Sequence, residues 1–270
     1  MPTINTNVNA LFAQNALKVN DRNMTKAMQQ LSTGSKVNSA ADDAAGLSSS
    51  ISMTAQIKGM NQAVRNANDG ISMLQTAEGA MTEQTNMLQR MRELAVQATT
   101  ATYNTTQLGY LDTEFQALDT QINNIASNTK WNGDTLIAST ATKTFVVGSA
   151  GTESVTVALT ATDTTTLATT SLAVTTSALA ATAITAIDTA LASISSARAK
   201  LGAGINQLTY AADNLTNTSA NLQASRSQVM DTDYATATSN LARAQIIQQA
   251  ATAMLAQANQ APASVLALLK

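Results

Sequence analysis

Two pairs of carboxylates are the first candidates for chemistry: Asp42 with Asp43, and Asp231 with Asp233. Close acids can share a proton or hold a cation, which is how acid–base and metal sites are built. Each pair also stands just before a run with helical spacing, where a carboxylate accepts the unpaired amide hydrogens of a helix start. Capping is the favoured role for both pairs. Glu78 falls at a seam position and reads as a polar residue that sets helix register. Arg198 and Arg226 interrupt a stripe of Ile184, Leu191, Ile205 and Ala212, so they snorkel or pair with acids on a partner helix. The Met residues fill seams and imply no metal. The chain has no His and no Cys. The commonest general base near neutral pH is therefore missing, along with thiol nucleophiles and imidazole or thiolate metal ligands. No glycine motif that cradles phosphate occurs. No catalytic residue, metal ligand or cofactor is expected, and the chain reads as a non-enzyme.

What the sequence specifies instead is rods. Ile187, Ile194, Leu201, Leu208, Leu215, Leu222 and Val229 recur at every seventh residue, and so do Met60, Ala67, Leu74, Met81, Leu88 and Ala95. A sevenfold repeat sustained this long means helices wound against partner helices. Only 3% of the 270 residues are aromatic and 12% charged, and much of the apolar 44% is Ala. Small apolar residues suit helix seams and fit poorly with a thick globular core. A net charge of -2 provides no broad basic field to hold nucleic acid. No run of eighteen consecutive apolar residues occurs, so no membrane span is expected. Met1–Asn7 has no basic start followed by an apolar core, unlike a cleavable secretory signal.

Along the chain, residues 3–32 read as helix, with Leu17, Met24, Met28 and Leu31 on one stripe continued by Ile4, Val8 and Leu11. Gly34 stands where a left-handed cap is wanted, and Ser39 with Asp42 resembles the next helix start. A long helix from about Asp43 to Ala98 carries Ile57, Met60, Val64, Ala67, Ile71 and Leu74. A third helix, capped by Asn104 or its neighbours, carries Leu108, Leu111, Phe115, Leu118, Ile122 and Ile125. Asn128–Asp134 is a turn around Gly133. Residues 144–147 and 154–159 are β-branched runs separated by Gly148-Ser149-Ala150-Gly151, a hairpin signal. The Thr-crowded stretch 160–176 reads as exposed strand and loop, either a plain soluble loop or a carrier of O-linked glycans. Helix resumes near Leu179 and runs to about Val229. Asp231-Thr232-Asp233 starts a last helix, with a seam of Ala237, Ala244, Ile247, Ala251, Met254, Ala258 and Ala261. Thin Ala-rich seams are marginal in isolation, so residues 1–35 and 235–270 are expected to be poorly ordered in a free monomer and to fold on assembly.

At several of these positions the chain resembles the bacterial flagellins. The first likeness is Leu31-Ser-Thr-Gly-Ser-Lys-Val-Asn-Ser-Ala-Ala-Asp-Asp-Ala-Ala-Gly46, and the second is Leu88-Gln-Arg-Met-Arg-Glu-Leu-Ala-Val-Gln-Ala98. The third is Asp233-Tyr-Ala-Thr followed by Ser239-Asn-Leu-Ala-Arg-Ala-Gln-Ile-Ile-Gln-Gln-Ala250. The fourth is Leu255-Ala-Gln-Ala-Asn-Gln260 leading to Val265-Leu-Ala-Leu-Leu-Lys270. The resemblance covers about residues 1–135 and 180–270. Lys36 stands where the family often has Arg, and Leu47 where a polar residue is common.

The resemblance implies a mainly α fold: a long antiparallel helical bundle and coiled coil formed by the N- and C-terminal halves, with a small β-hairpin insert in the middle. It divides the chain into an N-terminal coiled-coil helix (1–40) that forms the inner filament core with 233–270, the N-terminal part of the bundle (41–130), the hairpin and Thr-rich insert (131–180), the C-terminal bundle helix (181–230) and the C-terminal coiled-coil helix (231–270). It implies a subunit that polymerises into the flagellar filament for swimming. Two alternatives remain beside it: a hook–filament junction protein, and a secreted coiled-coil effector or adhesin.

Implied partners are further copies of the chain, an export chaperone and secretion apparatus, hook-associated and cap proteins, and the host Toll-like receptor for flagellin. The implied location is extracellular, without a cleavable signal. Filament-core assembly falls to Val8, Leu11, Leu17, Met24, Met28, Leu31, Ala244, Ile247, Ala251, Met254, Leu255, Leu266 and Leu269. The bundle core falls to Ile57, Met60, Val64, Ile71, Leu74, Leu108, Leu111, Phe115, Leu118, Ile187, Ile194, Leu201, Leu208, Leu215 and Leu222. Gln89, Arg90, Leu94 and Glu114 fall on a face that is an axial subunit contact, a receptor contact, or both.

Overall fold

Helix boundaries follow from capping chemistry. A computed structural model describes residues 6–267, with side chains to residue 260. The first helix, α1 (Val8–Thr33), starts where the Asn7 side chain accepts the Ala10 amide, and stops at Gly34. Gly34 adopts a left-handed φ of 70° and returns its N–H to the Gln30 carbonyl. The long α2 (Ala44–Ala98) starts at Asp43, whose carboxylate accepts the Gly46 amide at 2.9 Å. Ser39 and Asp42 belong to the preceding turn: Asp42 accepts the Ser39 amide and hydroxyl and the Asn38 amide. A reciprocal capping box between Asn104 and Gln107 opens α3 (Thr105–Asn128). Next come two short strands, β1 (Lys130–Trp131) and β2 (Asp134–Thr135), and the hairpin strands β3 (Ala141–Val146) and β4 (Ser154–Leu159). α4 (Ser177–Met230) and α5 (Tyr234–Ala267) complete the chain, and Asp233 opens α5 by accepting the Ala235 amide. Asp231 accepts the Ser227 hydroxyl at the end of α4, so the acid pairs are occupied with helix ends and turns.

The chain forms two compact units. A terminal unit comprises Met1–Ala55 with Asn221–Lys270. Its centre is the antiparallel pair of α1 and α5. The α1 seam is Ala10, Ala13, Leu17, Asn20, Met24, Ala27 and Leu31, and the α5 seam is Ala237, Leu241, Ala244, Gln248, Ala251, Leu255 and Ala258. Both follow alternating three- and four-residue steps, the spacing of a coiled coil. Asn20 is buried and donates to the Ala244 carbonyl at 2.8 Å, which pins the register. Asn7 makes the same bond to Ala258. The two linkers also pair: Lys36 donates to Met230, and Thr232 to Gly34.

The bundle unit is Gln56–Ala220. Within it α2 and α4 run antiparallel, as Ser219–Asn61, Arg198–Glu78 and Arg92–Asp188 contacts show. The ladder positions Met60, Ala67, Leu74, Met81, Leu88 and Ala95 of α2 are all buried, as are Ile187, Ile194, Leu201, Leu208 and Leu215 of α4. α3 packs antiparallel on α2, with Gln84 donating to the Ile122 carbonyl. β3 and β4 pair from Ala141↔Leu159 to Val146↔Ser154, and the turn Asn132-Gly133 joins β1 to β2. The hairpin lies against glycines. A side chain on Gly204 would strike Val157, and one on Gly70 would strike Phe145.

Four expectations need correction. The second stripe of α4 is not Ile184, Leu191 and Ile205, which are half-buried, but Ala183, Ala190, Ala197 and Gly204. Small residues let helices approach closely, so they take the inner position and displace larger ones to the flank. Val64 and Ile71 of α2 are likewise half-buried beside Ala63, Gly70 and Met73. The stretch 160–176 is not an exposed strand. Thr162, Thr164, Leu167, Thr169 and Val174 are buried, and Gln116 and Asp112 of α3 bond its backbone. Arg226 meets the Thr54 hydroxyl rather than an acid, whereas Arg198 does reach Glu78.

α4 holds an 18-residue window of mean hydropathy 1.5 and is long enough to cross a bilayer by length and composition. The apolar ladder within it is the stripe that packs into the bundle.

Candidate functional site

Among the described residues no cluster of three or more metal-ligating side chains occurs. The features that distinguish this surface are apolar side chains left in solvent. On α1, Val8, Leu11, Phe12, Val19 and Met28 point away from the α5 seam, and Phe12 is 70% exposed. On α5, Ile246, Ile247 and Met254 do the same, and Met254 is 69% exposed. A single exposed apolar residue needs no explanation, but a set of large ones along one helix pair marks a surface that meets a partner.

The sites named for filament-core assembly divide accordingly. Leu17, Met24, Leu31, Ala251 and Leu255 are half-buried in the α1–α5 seam, and Ala244 is fully buried there. Ile247 and Met254, expected in the seam, face outward together with Val8, Leu11 and Met28. Gln248 and Leu255 take the seam places expected for Ile247 and Met254, and Leu241 adds a further seam position. The Leu266 side chain and Leu269 lie outside the described residues, as does Ile4. Sequence reading missed Asn20; its signal was a polar residue three positions after Leu17 on the same heptad.

In the bundle unit, Ile57, Met60, Leu74, Phe115, Ile187, Ile194, Leu201, Leu208 and Leu215 lie in the core. Leu108, Leu111 and Leu118 are half-buried on α3, and Leu222, which belongs to the terminal unit, is half-buried on α4.

The polar face of α2 has its own geometry. Arg90 lies between two carboxylates, 3.0 Å from Glu93 and 2.9 Å from Glu114 of α3. The hydrogen bonds that it donates to Glu93 and Glu114 raise its pKa further above the usual guanidinium value. All three side chains are exposed, and Gln89 beside them is exposed too. Leu94 is only 1% exposed. It belongs to the bundle core and not to a contact face, because the helix turns Met91, Leu94 and Ala95 inward while Gln89, Arg90 and Glu93 face out. Elsewhere, Lys26 holds the Asp42 carboxyl at 2.9 Å, and with the Ser39 hydroxyl lowers its pKa to about 2. These charges serve a turn and ion pairs.

A helical protein with paired terminal segments and an outward apolar surface has the form of a structural assembly protein. Residues 4–142 match the bacterial flagellin N-terminal helical region, and residues 184–269 match the bacterial flagellin C-terminal helical region. The chain belongs to the bacterial flagellin family: it is a structural subunit of the flagellar filament and not an enzyme. It is similar to a flagellin of Halalkalibacterium halodurans, 43% identical over 270 residues that cover 99% of each chain. The crystal structure of Bacillus cereus flagellin superposes with a TM-score of 0.52 and 33% identity, covering 60% of this chain and 94% of that one. A structure of a putative flagellar hook-associated protein from Vibrio parahaemolyticus gives a TM-score of 0.60 at 12% identity, covering 70% of this chain and all of that one. That second likeness is one of fold alone.

Proposed function

We propose that subunits join through the outward apolar residues of α1 and α5. The observation that carries this reading is the exposure of Phe12 and Met254 on a helix pair whose own seam is already filled. Burying a large apolar side chain is worth about 1.5–3 kcal/mol, so a repeated contact of several such residues supports a polymer. Contacts between unlike patches give a filament when the rotation from one subunit to the next does not close into a ring. In this reading residues 1–40 with 233–270 form the filament core domain, and the segments 41–130 and 181–230 form the bundle around it. The exposed Arg90–Glu93–Glu114 face serves as an axial contact between subunits, and the host Toll-like receptor for flagellin reads the same face. Export partners are a flagellar chaperone and secretion apparatus, the end partners are hook-associated and cap proteins, and the working location is extracellular.

The test uses purified full-length protein seeded to polymerise in salt. Phe12→Ser combined with Met254→Ser should keep the monomer's helical signal and thermal midpoint yet abolish filament growth. Growth at the wild-type rate would overturn the assignment. Arg90→Ala should weaken receptor signalling by monomer, and unchanged signalling counts against the receptor reading.

A further inference from the structure

We propose that Asn132–Gly133 is a self-modifying site, at which the side-chain amide is lost through a cyclic imide and the turn acquires an aspartate or isoaspartate. This is the one Asn-Gly step in the sequence. The Gly133 backbone nitrogen attacks Asn132 Cγ, the bond from Cγ to the side-chain nitrogen breaks, and ammonia leaves carrying the proton from Gly133. Water then opens the five-membered ring at one of its two carbonyls. Opening at one leaves Asp at position 132; opening at the other routes the main chain through the side chain.

Four observations favour this turn. First, both residues are exposed. Second, a side chain built on Gly133 would meet nothing within 4 Å, so no neighbour shields the attacking nitrogen. Third, neither the Asn132 amide nor the Gly133 N–H makes a hydrogen bond among the described residues. Fourth, the turn is held by strands of two residues each, with left-handed φ of 49° at Asn132 and 90° at Gly133. So short a ladder opens locally at low cost, which lets Cγ and nitrogen align. Two other asparagines that precede a hydroxyl residue outside a helix interior are engaged. Asn38, before Ser39, donates from Nδ2 to the Ser35 carbonyl. Asn104, before Thr105, accepts the Gln107 amide in the capping box.

The modification changes more than charge. An aspartate at position 132 places a second carboxylate near Asp134, which pairs with Lys143 at 3.0 Å. An isoaspartate adds a methylene to the main chain, and the two-residue turn no longer fits. Trp131, the single Trp of the chain, precedes this step and lines a shallow cavity with Asn66, Asp69, Gly70 and Phe145. Its fluorescence therefore reports the event.

Full-length protein and the Asn132→Gly variant, which keeps a turn compatible with positive φ, would be incubated at mildly alkaline pH for days. Peptide mapping and enzymatic isoaspartate labelling would follow amide loss, alongside Trp131 fluorescence. Asn132 should lose its amide roughly tenfold or more faster than Asn38 and Asn104, because its turn opens more cheaply than a cap or a linked loop. The isoaspartate signal and the fluorescence change should be absent from the variant. The proposal is overturned if folded Asn132 keeps its amide through an incubation in which urea-unfolded protein loses it. Equal loss at all three asparagines also overturns it.

Discussion

At the scale of single residues, most polar groups in this protein are committed to local geometry, and Asp119 is one of five described residues with a buried polar atom left without a partner. Burial beneath the Thr-rich segment raises its pKa above the ordinary carboxylate value, with the Thr169 hydroxyl working weakly against the shift. Its Oδ1 is buried with no partner. A carboxyl whose folded pKa is raised stabilises the fold while protonated, and that contribution is lost as pH rises through the folded pKa. The charged form at neutral pH is therefore a liability. Asp119→Asn should raise the thermal midpoint at pH 7 by a small margin. At pH 3, where Asp119 is protonated in both folded and unfolded chains, the two midpoints should coincide. Melting curves at the two pH values check this, and a variant less stable at pH 7 would refute it. Asp42 behaves in the opposite sense. Its lowered pKa means that the Lys26 and Ser39 contacts contribute above the ordinary carboxylate range and fade as pH falls toward about 2.

At the scale of elements, glycine placement separates two roles that sequence alone cannot distinguish. Gly202 and Gly204 both lie inside α4, where each costs about 1 kcal/mol relative to Ala. Gly204 faces Val157 of the hairpin, whose Cγ2 lies 2.6 Å from where a Cβ would stand. Gly202 faces open space. Gly204→Ala should destabilise by about 1–3 kcal/mol through overpacking, whereas Gly202→Ala should stabilise by up to about 1 kcal/mol. Urea unfolding of the two variants measures both, and a shared sign would contradict this packing. The same comparison marks what was legible in the chain. The ladders at Met60–Ala95 and Ile187–Leu215 could be read directly, because large apolar residues at a sevenfold spacing have one economical use. The inner stripe of Ala183, Ala190 and Ala197 could not, since Ala is also the commonest filler of exposed helix faces. The burial of Thr162, Thr164 and Thr169 depends on docking against α3, dozens of residues away, and local propensity carries no trace of it. Leu94 illustrates the same limit. The matching run Leu88–Ala98 is contiguous, while the helix turns Leu88, Met91, Leu94, Ala95 and Ala98 of it inward.

At the scale of the whole molecule, the two units differ in how much apolar surface holds them. The bundle unit buries Phe115, Leu74, Met81, Leu88, Met91 and Ile122 completely. Among the described residues, the terminal unit buries only Ala10, Ala27, Val37, Ala237 and Ala244 of its apolar residues, and its larger side chains are half-buried or turned outward. Apolar burial near 25 cal/mol per Å² yields little from Ala, and fixing a helical backbone costs about 1–2 kcal/mol per residue. The α1–α5 pair is therefore expected to be the low-stability region of the free subunit, stabilised in the polymer by contacts with neighbouring subunits. Hydrogen exchange on monomer and polymer tests this balance. In the monomer, amides of α1 and α5 should exchange through local opening well before those of α3 and of α2 between Met60 and Ala95. In the polymer, protection in α1 and α5 should rise toward that of the bundle. Strong protection of both terminal helices in the monomer would show that the Ala seam suffices alone, and the outward residues Phe12, Ile246 and Met254 would then need another explanation.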